Sequence, residues 1–384
     1  MLKTMNSHPF QHMILAAAVA ASTCMGTMGC SHKPATSSDS NEQLMLVGTY
    51  TNAGSEGIYS LRFNQSNAEW QLLDSAHVSN PSFLAIDPAR ALIYSVSEDG
   101  GPKDALVLLA LNPSTGAMQL KGSWETKGAA PCYVSFSPHA TVTANYTGGS
   151  LSLFPLDDQG VPAPLEALFP GECTHSDPER QEAPHVHCAH FSPDGRYLFA
   201  TDFSSDRLLR FAVNETTPLL SQPQVAATIE AGSGPRHLTF APDGRHAYLI
   251  SELSGMVHCF DYQADRGELN LKQVIETDSV HARGSAHILL SPDGRFLYAS
   301  NRLEHEGIAI FAVSPTDGTL TPAGYQLTGR HPRHFALTPN GRYLLAACRD
   351  SNSIEIYLRD ASTGALTPTG KVIPLSKPVF VGWF

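Results

Sequence analysis

The sequence reads as an all-β chain, a seven-bladed β-propeller of four-stranded antiparallel blades closed by its N- and C-terminal strands. Three observations predict this. Turn prolines recur at Pro88, Pro138, Pro193, Pro242, Pro292 and Pro339, about 50 residues apart, the spacing of propeller blades rather than of helical solenoids. Each proline separates two short runs rich in Val, Leu, Phe and Tyr, and the later turns carry Asp-Gly or Asn-Gly, so each unit starts as a hairpin. The two ends of the chain each look like part of one further blade.

Taken in order, "LMLVGTYTNAGSEGIYSLRF" (Leu44–Phe63) supplies outer strands with no inner strand before them. Six hairpins follow: "PSFLAIDPARALIYSVSE", "PCYVSFSPHATVTANY", "PHVHCAHFSPDGRYLFATD", "PRHLTFAPDGRHAYLISE", "SAHILLSPDGRFLYASN" and "PRHFALTPNGRYLLAACRD". Third strands follow the hairpins, as in "DRLLRFAV", "GMVHCFDY", "GIAIFAV" and "SIEIYLRD", and "GELN", "GTLT" and "GALT" punctuate the way to a fourth. That makes four strands per unit. The closing "PVFVGWF" (Pro378–Phe384) is an inner strand with nothing after it. Paired with the N-terminal strands it closes the ring and removes two exposed edges. Residues 44–384 are therefore expected to form one domain.

The N-terminus differs. Met13–Ser22 is an apolar run of signal-peptide length, and "TMGC" ends at Cys30 before a polar stretch. This resembles a bacterial lipoprotein signal, with Gly29 preceding the lipidated Cys30; Thr27 departs from the usual Leu. Ser31 resembles the outer-membrane sorting pattern. Residues 1–30 are expected to be a signal peptide and 31–43 a disordered linker, with the domain in the periplasm, held to the outer membrane by lipid alone. No run reaches the roughly 18 continuous apolar residues of a membrane span.

The net charge of −11 argues against nucleic acid, whose phosphates need a basic surface. Beyond Cys24 and Cys30 the cysteines Cys132, Cys173, Cys188, Cys259 and Cys348 are scattered and odd in number, unlike a disulfide framework; Cys173 and Cys188 could pair or stay free. "PHVHCAH" sets His185 and His187 on one strand face, but His190 faces the other way, and no metal is expected. "TNAGSEG" follows no βαβ pattern and no GxSxG elbow is present. The expected cofactor list is empty.

Hairpin geometry gathers the polar residues. The inner strand runs from one rim to the turn and the second returns, so residues before the first lie beside residues after the second. Arg236 and His237 are thereby placed near Glu252, His185 and His187 near Asp202, His287 near Arg302, and Arg333 and His334 near Arg349 and Asp350. All converge on one mouth of the channel. Converging arginines suit a carboxylate or phosphate, and Glu252, Asp202 and His187 among them offer general acid–base chemistry. "PRH" occurs twice, so part of it belongs to the blade, and His237 reads as structural. Arg196, Arg245, Arg295 and Arg342 recur with the turn glycines and read as structural or solvent-facing.

These motifs, above all "GSGPRHLTFAPDGRHAYLISEL", "PHVHCAHFSPDGRYLFATD", "SPDGRFLYASNR" and "PVFVGWF", resemble the seven-bladed propeller lactonases, the family of cycloisomerase-type 6-phosphogluconolactonase and fungal carboxymuconate cycloisomerase. The resemblance covers nearly all of Leu44–Phe384. It implies a metal-independent lactonase acting on an acidic sugar lactone. The family's histidine matches His187, its GPRH arginine Arg236, the following glutamate Glu252 and a later arginine Arg302; these are the expected catalytic residues. Arg283 also matches a family arginine and, with Arg333 and Asp202, is expected to bind substrate. Arg236 and Arg302 would hold the anion or oxyanion, and His187 or Glu252 would activate water, the order of those two staying open. Export contrasts with cytosolic relatives and sits awkwardly with a phosphorylated substrate. A muconate-type cycloisomerase and a non-catalytic propeller binding sugar acids or a partner are the alternatives. The oligomeric state is not legible.

Overall fold

The computed structural model describes residues 41–101 and 104–384. The expected signal peptide, Cys30 and most of the linker lie outside the described residues. Glu42 and Gln43, read as linker, instead begin the first strand, Glu42–Thr49.

Seven four-stranded antiparallel sheets follow one another around a ring. Six are built from consecutive strands. In the seventh, Pro378–Trp383 pairs with Glu42–Thr49, with Val47 opposite Val381 and Met45 opposite Trp383. The two chain ends thus complete one blade, as the sequence predicts, and the ring closes through backbone hydrogen bonds.

Inner strands bury both faces because neighbouring blades pack against each. Leu92–Ser97, Ala140–Asn145 and Tyr343–Cys348 are buried along their whole length. Fourth strands alternate between half-buried and exposed residues, as in Met118–Glu125, because one of their faces meets water.

Blades are also latched side to side. The hydroxyls of Tyr94, Tyr248 and Tyr298 donate to the carbonyls of Gly160, Gly318 and Gly364 at 2.7, 2.7 and 2.8 Å. Two of these glycines are the "G-x-L" punctuation, so that motif supplies an acceptor to the preceding blade. The Pro-Asp-Gly turns lie at the far ends of the inner hairpins. There Asp243 accepts the amide of Arg245 at 2.9 Å, and Arg196 and Arg245 are exposed beside the turn aspartates.

Candidate active site

Two backbone positions, repeated blade by blade, build the mouth opposite those turns. The first lies near the start of each inner strand. Strand pairing shifts register there, between Pro131 and Tyr133, Val186 and Cys188, Pro235 and His237, and Pro332 and His334. Each bulge leaves one residue out of the ladder and re-aims its side chain: Cys132, His187, Arg236 and Arg333. The second position is the first residue after each second strand. It holds Tyr50, Glu98, Tyr146, Phe203, Glu252, Arg302 and Arg349 around the ring.

The "GSGPRH" stretch shows how local sequence fixes this geometry. Gly234 has φ +63°, and a Cβ there would come within 2.9 Å of Leu253 and Phe203 side chains, so only glycine suits the position. Asp206 accepts the amides of Gly232 and Gly234, each at 2.8 Å. The Gly234 carbonyl then accepts the Glu252 amide at 2.8 Å. The turn before Arg236 is therefore bonded directly to the backbone of Glu252.

Most of these residues surround a cavity of about 280 Å³, whose lining among the described residues includes Arg180, Arg302, Arg333 and Arg349 but only two carboxylates, Glu98 and Glu252; Arg236 lies in a smaller pocket with His187 and Arg333. Glu252 is engaged on both oxygens. Its Oε2 accepts Arg236 Nε at 2.8 Å and meets Arg302 Nη2 at 3.1 Å, while Oε1 accepts Arg180 Nη2 at 2.7 Å. Burial works against its charge, but Arg302, Arg236 and Arg180 outweigh burial and hold its carboxyl far below the ordinary range. Glu252 is thus a fixed anion that anchors three cations. Arg236, 1 % exposed, also donates to the Ala286 carbonyl at 2.7 Å. Burial and the other arginines pull Arg302 down to about 9 despite Glu252, which leaves it charged at neutral pH.

His187 faces the same cavity and is 4 % exposed. Burial first, then the charges of Arg236, Arg333 and Arg302, hold its pKa well below 6.5 against the pull of Glu252. It is a neutral imidazole at pH 7, with a buried Nδ1 that makes no hydrogen bond to the described residues.

Beneath the cavity the channel is plugged by rings. Phe83 stacks on Tyr133 at 4.0 Å, His287 stacks on His334 at 3.9 Å, and His237 meets Phe83, Tyr133 and His287 edge-on. Arg236 Nη1 lies 3.1 Å from His237 Nε2, and His237 Nδ1 lies 3.0 Å from His287 Nδ1. Guanidinium can only donate. His237 therefore accepts at Nε2, carries its proton on Nδ1 and donates to a neutral His287. The histidine of "PRH" orients the arginine beside it.

The structure brings His187, Glu252, Arg302 and Arg333 together around the cavity, with Arg236 buried behind it and bonded to Glu252. It does not bring Asp202 there. Asp202 is the last residue of strand Tyr197–Asp202 and pairs with Val186, one residue short of the position Glu252 holds. Strand alternation turns its side chain away from the cavity. It accepts the Glu172 amide at 2.9 Å in a fully buried site, where burial raises its carboxyl to about 6. Arg283 also stands apart, half-exposed and paired with Asp177. Asp177 in turn accepts the Arg180 amide at 2.9 Å, so Arg283 braces the loop that carries Arg180. The described cysteines are all free, Cys173 donating to the Gln181 carbonyl at 2.7 Å.

Sequence reasoning missed Arg180, Glu98, Tyr50, Tyr146, Leu303 and His331, which also line the cavity. Glu98 and Tyr146 end quoted repeat units in register with Glu252, a signal that was present. Arg180 lies on a loop outside the repeat and had none.

Residues 44–383 match the family model described as the seven-bladed β-propeller lactonases. The chain is 34 % identical over 338 residues to a 6-phosphogluconolactonase of Formosa agariphila, covering 84 % of this chain and 94 % of that protein. Against the 6-phosphogluconolactonase of Bacillus subtilis it is 32 % identical over 347 residues, covering 87 % and 96 %. Among solved structures, a proposed 6-phosphogluconolactonase from Bacteroides uniformis superposes with a TM-score of 0.87 at 51 % identity, over 90 % of this chain and all of that one. The periplasmic gluconolactonase of Pseudomonas aeruginosa superposes with a TM-score of 0.82 at 30 % identity, over 89 % and 99 %.

Proposed function

This chain belongs to the seven-bladed β-propeller lactonase family, and from that footing we propose that it hydrolyses a sugar lactone at the mouth built around Glu252. The observation that carries this reading is the excess of guanidinium over carboxylate in a partly enclosed cavity that also holds a neutral histidine. Lactone hydrolysis places negative charge on the carbonyl oxygen as water adds, and releases a carboxylate. Pre-aimed N–H donors in a site of low dielectric stabilise such charge without reorganising.

His187 is the base of this scheme. It is neutral, faces the cavity and can take a proton from water. Glu252, locked by three arginines, is a poor proton acceptor and serves instead to hold Arg236 and Arg302 in place. Arg302 and Arg333, which line the cavity, stabilise the developing oxyanion and the carboxylate it becomes, with Arg236 buried behind Glu252. The scheme uses no metal.

Export is part of the proposal. The lipoprotein-like N-terminus and the likeness to a periplasmic gluconolactonase both favour a non-phosphorylated aldonolactone, met outside the cytoplasm, over a phosphorylated one. Cys30 would carry the lipid and residues 44–384 the catalytic domain. Replacing Cys30 by Ser should then move the protein from the membrane fraction to the soluble one; unchanged membrane retention would remove the anchor from the scheme.

The deciding experiment is a panel of aldonolactones, with and without phosphate, and of muconate-type diacids, assayed against the spontaneous reactions with the full chain and its Arg236→Lys and His187→Gln variants. Loss of a positioned donor or base should lower kcat by about 10²–10⁴-fold. No turnover above background across the panel would overturn the lactonase reading in favour of a binding propeller. Turnover confined to muconate-type diacids would favour the cycloisomerase.

A further inference from the structure

We propose that Glu98 is a further catalytic residue of this reaction, the general acid that protonates the ring oxygen as the lactone C–O bond breaks. The inference rests on the lactonase reading above and adds the group that completes it.

Glu98 follows strand Leu92–Ser97 directly and holds in its blade the position that Glu252 holds in another. Both carboxylates line the same cavity, but their surroundings differ. Glu252 meets three guanidinium groups and has no oxygen left for a proton. Glu98 accepts one neutral hydrogen bond, from the Tyr50 hydroxyl to Oε2 at 3.1 Å. Its closest cation, Arg333 Nη2, is 3.9 Å away, longer than a hydrogen bond. Arg333 is itself held over the Tyr50 ring, 5.6 Å from its centroid, so the three side chains form one fixed group. Burial, the dominant influence, raises the Glu98 carboxyl above its ordinary range against Arg333, Ser82, Tyr50 and Arg236. Two carboxyl groups in one site, one held ionised and one favoured as the acid, is the pattern that separates an anchoring role from a proton-donating one.

The chemistry needs such a donor. Water adds to the lactone carbonyl and its proton passes to His187. The tetrahedral intermediate then collapses and the ring C–O bond breaks, with the electron pair leaving on oxygen. An alkoxide is a poor leaving group, and the Glu98 proton converts it to the product hydroxyl. His187 returns its proton to solvent and Glu98 regains one from solvent through a second lobe of the mouth, which Glu98 lines with Tyr50, Asn52, Asn80, Arg349 and Lys377. The sum is lactone plus water giving the hydroxy acid.

The test compares two substrates with the same acyl group, glucono-lactone and the phenyl ester of gluconic acid, whose phenoxide leaves without a proton. The full chain and its Glu98→Gln, Glu98→Asp and His187→Gln variants are assayed from pH 5 to pH 9. Glu98→Gln should lose about 10²–10³-fold in kcat on the lactone while staying within about fivefold of wild type on the phenyl ester. It should also lose the alkaline limb of the lactone pH profile. Glu98 is faced by Tyr50, Ser82, Arg333, Arg236 and Cys132, and across the second lobe by Arg349, Asp350 and Lys377, none of which is altered in that variant. Glu98→Asp keeps an acid and should recover part of the lactone activity, which guards against a fold that fails with Gln. His187→Gln should lose activity on both substrates. Equal losses of Glu98→Gln on both substrates, or no loss on either, would overturn the assignment while leaving the lactonase intact. A wild type inert on both substrates and across the lactone panel would overturn the lactonase reading and this inference with it.

Discussion

Replacing Glu252 by Gln tests whether this carboxylate is an anchor or a base. The change removes one negative charge from between Arg236, Arg302 and Arg180, whose side chains are 1 %, 6 % and 36 % exposed. The guanidinium groups keep other acceptors: Ala286 O and His237 Nε2 for Arg236, and Gly284 O for Arg302 at 2.8 Å. The cost is therefore uncompensated buried charge rather than orphaned donors. Breaking a buried pair costs about 3–5 kcal/mol. Gln retains one acceptor and should fall at the lower end, Ala at the upper. With about 2.1 cal/mol/K of unfolding entropy per residue over roughly 340 residues, that is a fall in Tm of about 4–7 °C. Activity should drop alongside by about 10²–10³-fold in kcat/KM, because both rim arginines lose their anchor. The assay is thermal denaturation by circular dichroism beside aldonolactone kinetics. The arginines hold the folded Glu252 pKa below its unfolded value of about 4.3. Its stabilisation is therefore fully present above that value and is lost only as pH falls further, toward the folded value. The Tm gap between wild type and variant should stay constant from pH 7 to pH 5. A variant with wild-type Tm that loses kcat alone would refute the anchor and make Glu252 the base.

Two further outcomes are expected. The propeller should be acid-labile well above the carboxylate range. His187, His237 and His287 are held well below 6.5, His334 at about 3, and His190 and His258 at about 4, all chiefly by burial. Stability tied to such neutral histidines is present above about pH 6.5 and lost as pH falls through it, at about 1.4 kcal/mol per unit and group. The raised carboxyls of Asp202 and Glu98 work in the opposite sense, but two groups do not offset six. Denaturation midpoints should therefore fall steeply between pH 7 and pH 5, and an unchanged midpoint would refute the plugged, neutral channel. Second, Asp202→Asn and Arg283→Ala should leave kcat/KM on aldonolactones within about threefold of wild type, since neither side chain lines the cavity; a hundredfold loss in either would return it to the site.

Much of the fold was legible because its signals are local. Alternating apolar runs, Pro-Asp-Gly turns and the half-blades at Leu44 and Phe384 each report on a few neighbouring residues, and the repeat multiplies them. The site was legible where the hairpin rule alone decides it. Arg236 and Glu252 are ends of one hairpin, and they meet at 2.8 Å. The rule failed by one residue at Asp202, because "FATD" ends where "LIS" ends, not where "LISE" does, and in a strand one residue changes the face. Glu98 was hidden for a different reason. It ends its repeat unit as Glu252 does, but its cation, Arg333, comes from another blade, which no spacing within a unit reveals. Arg180 arrives from a loop that breaks the repeat, so its pairing with Glu252 depends on tertiary structure alone.

The repeat also explains how one scaffold can hold two carboxylates with opposite behaviour. The residue after the second strand has the same backbone setting in each blade, so Glu98 and Glu252 do not differ in placement. They differ in what neighbouring blades and loops bring to them. Glu252 receives Arg236 from its own hairpin, Arg302 from the next blade and Arg180 from a loop. Glu98 receives a tyrosine and a more distant arginine. Substitution at a single repeated position could therefore change the chemistry of the mouth without disturbing the hairpins beneath it. The packing and turn residues that define the blade constrain the fold, while the side chains at the mouth are free to define the substrate.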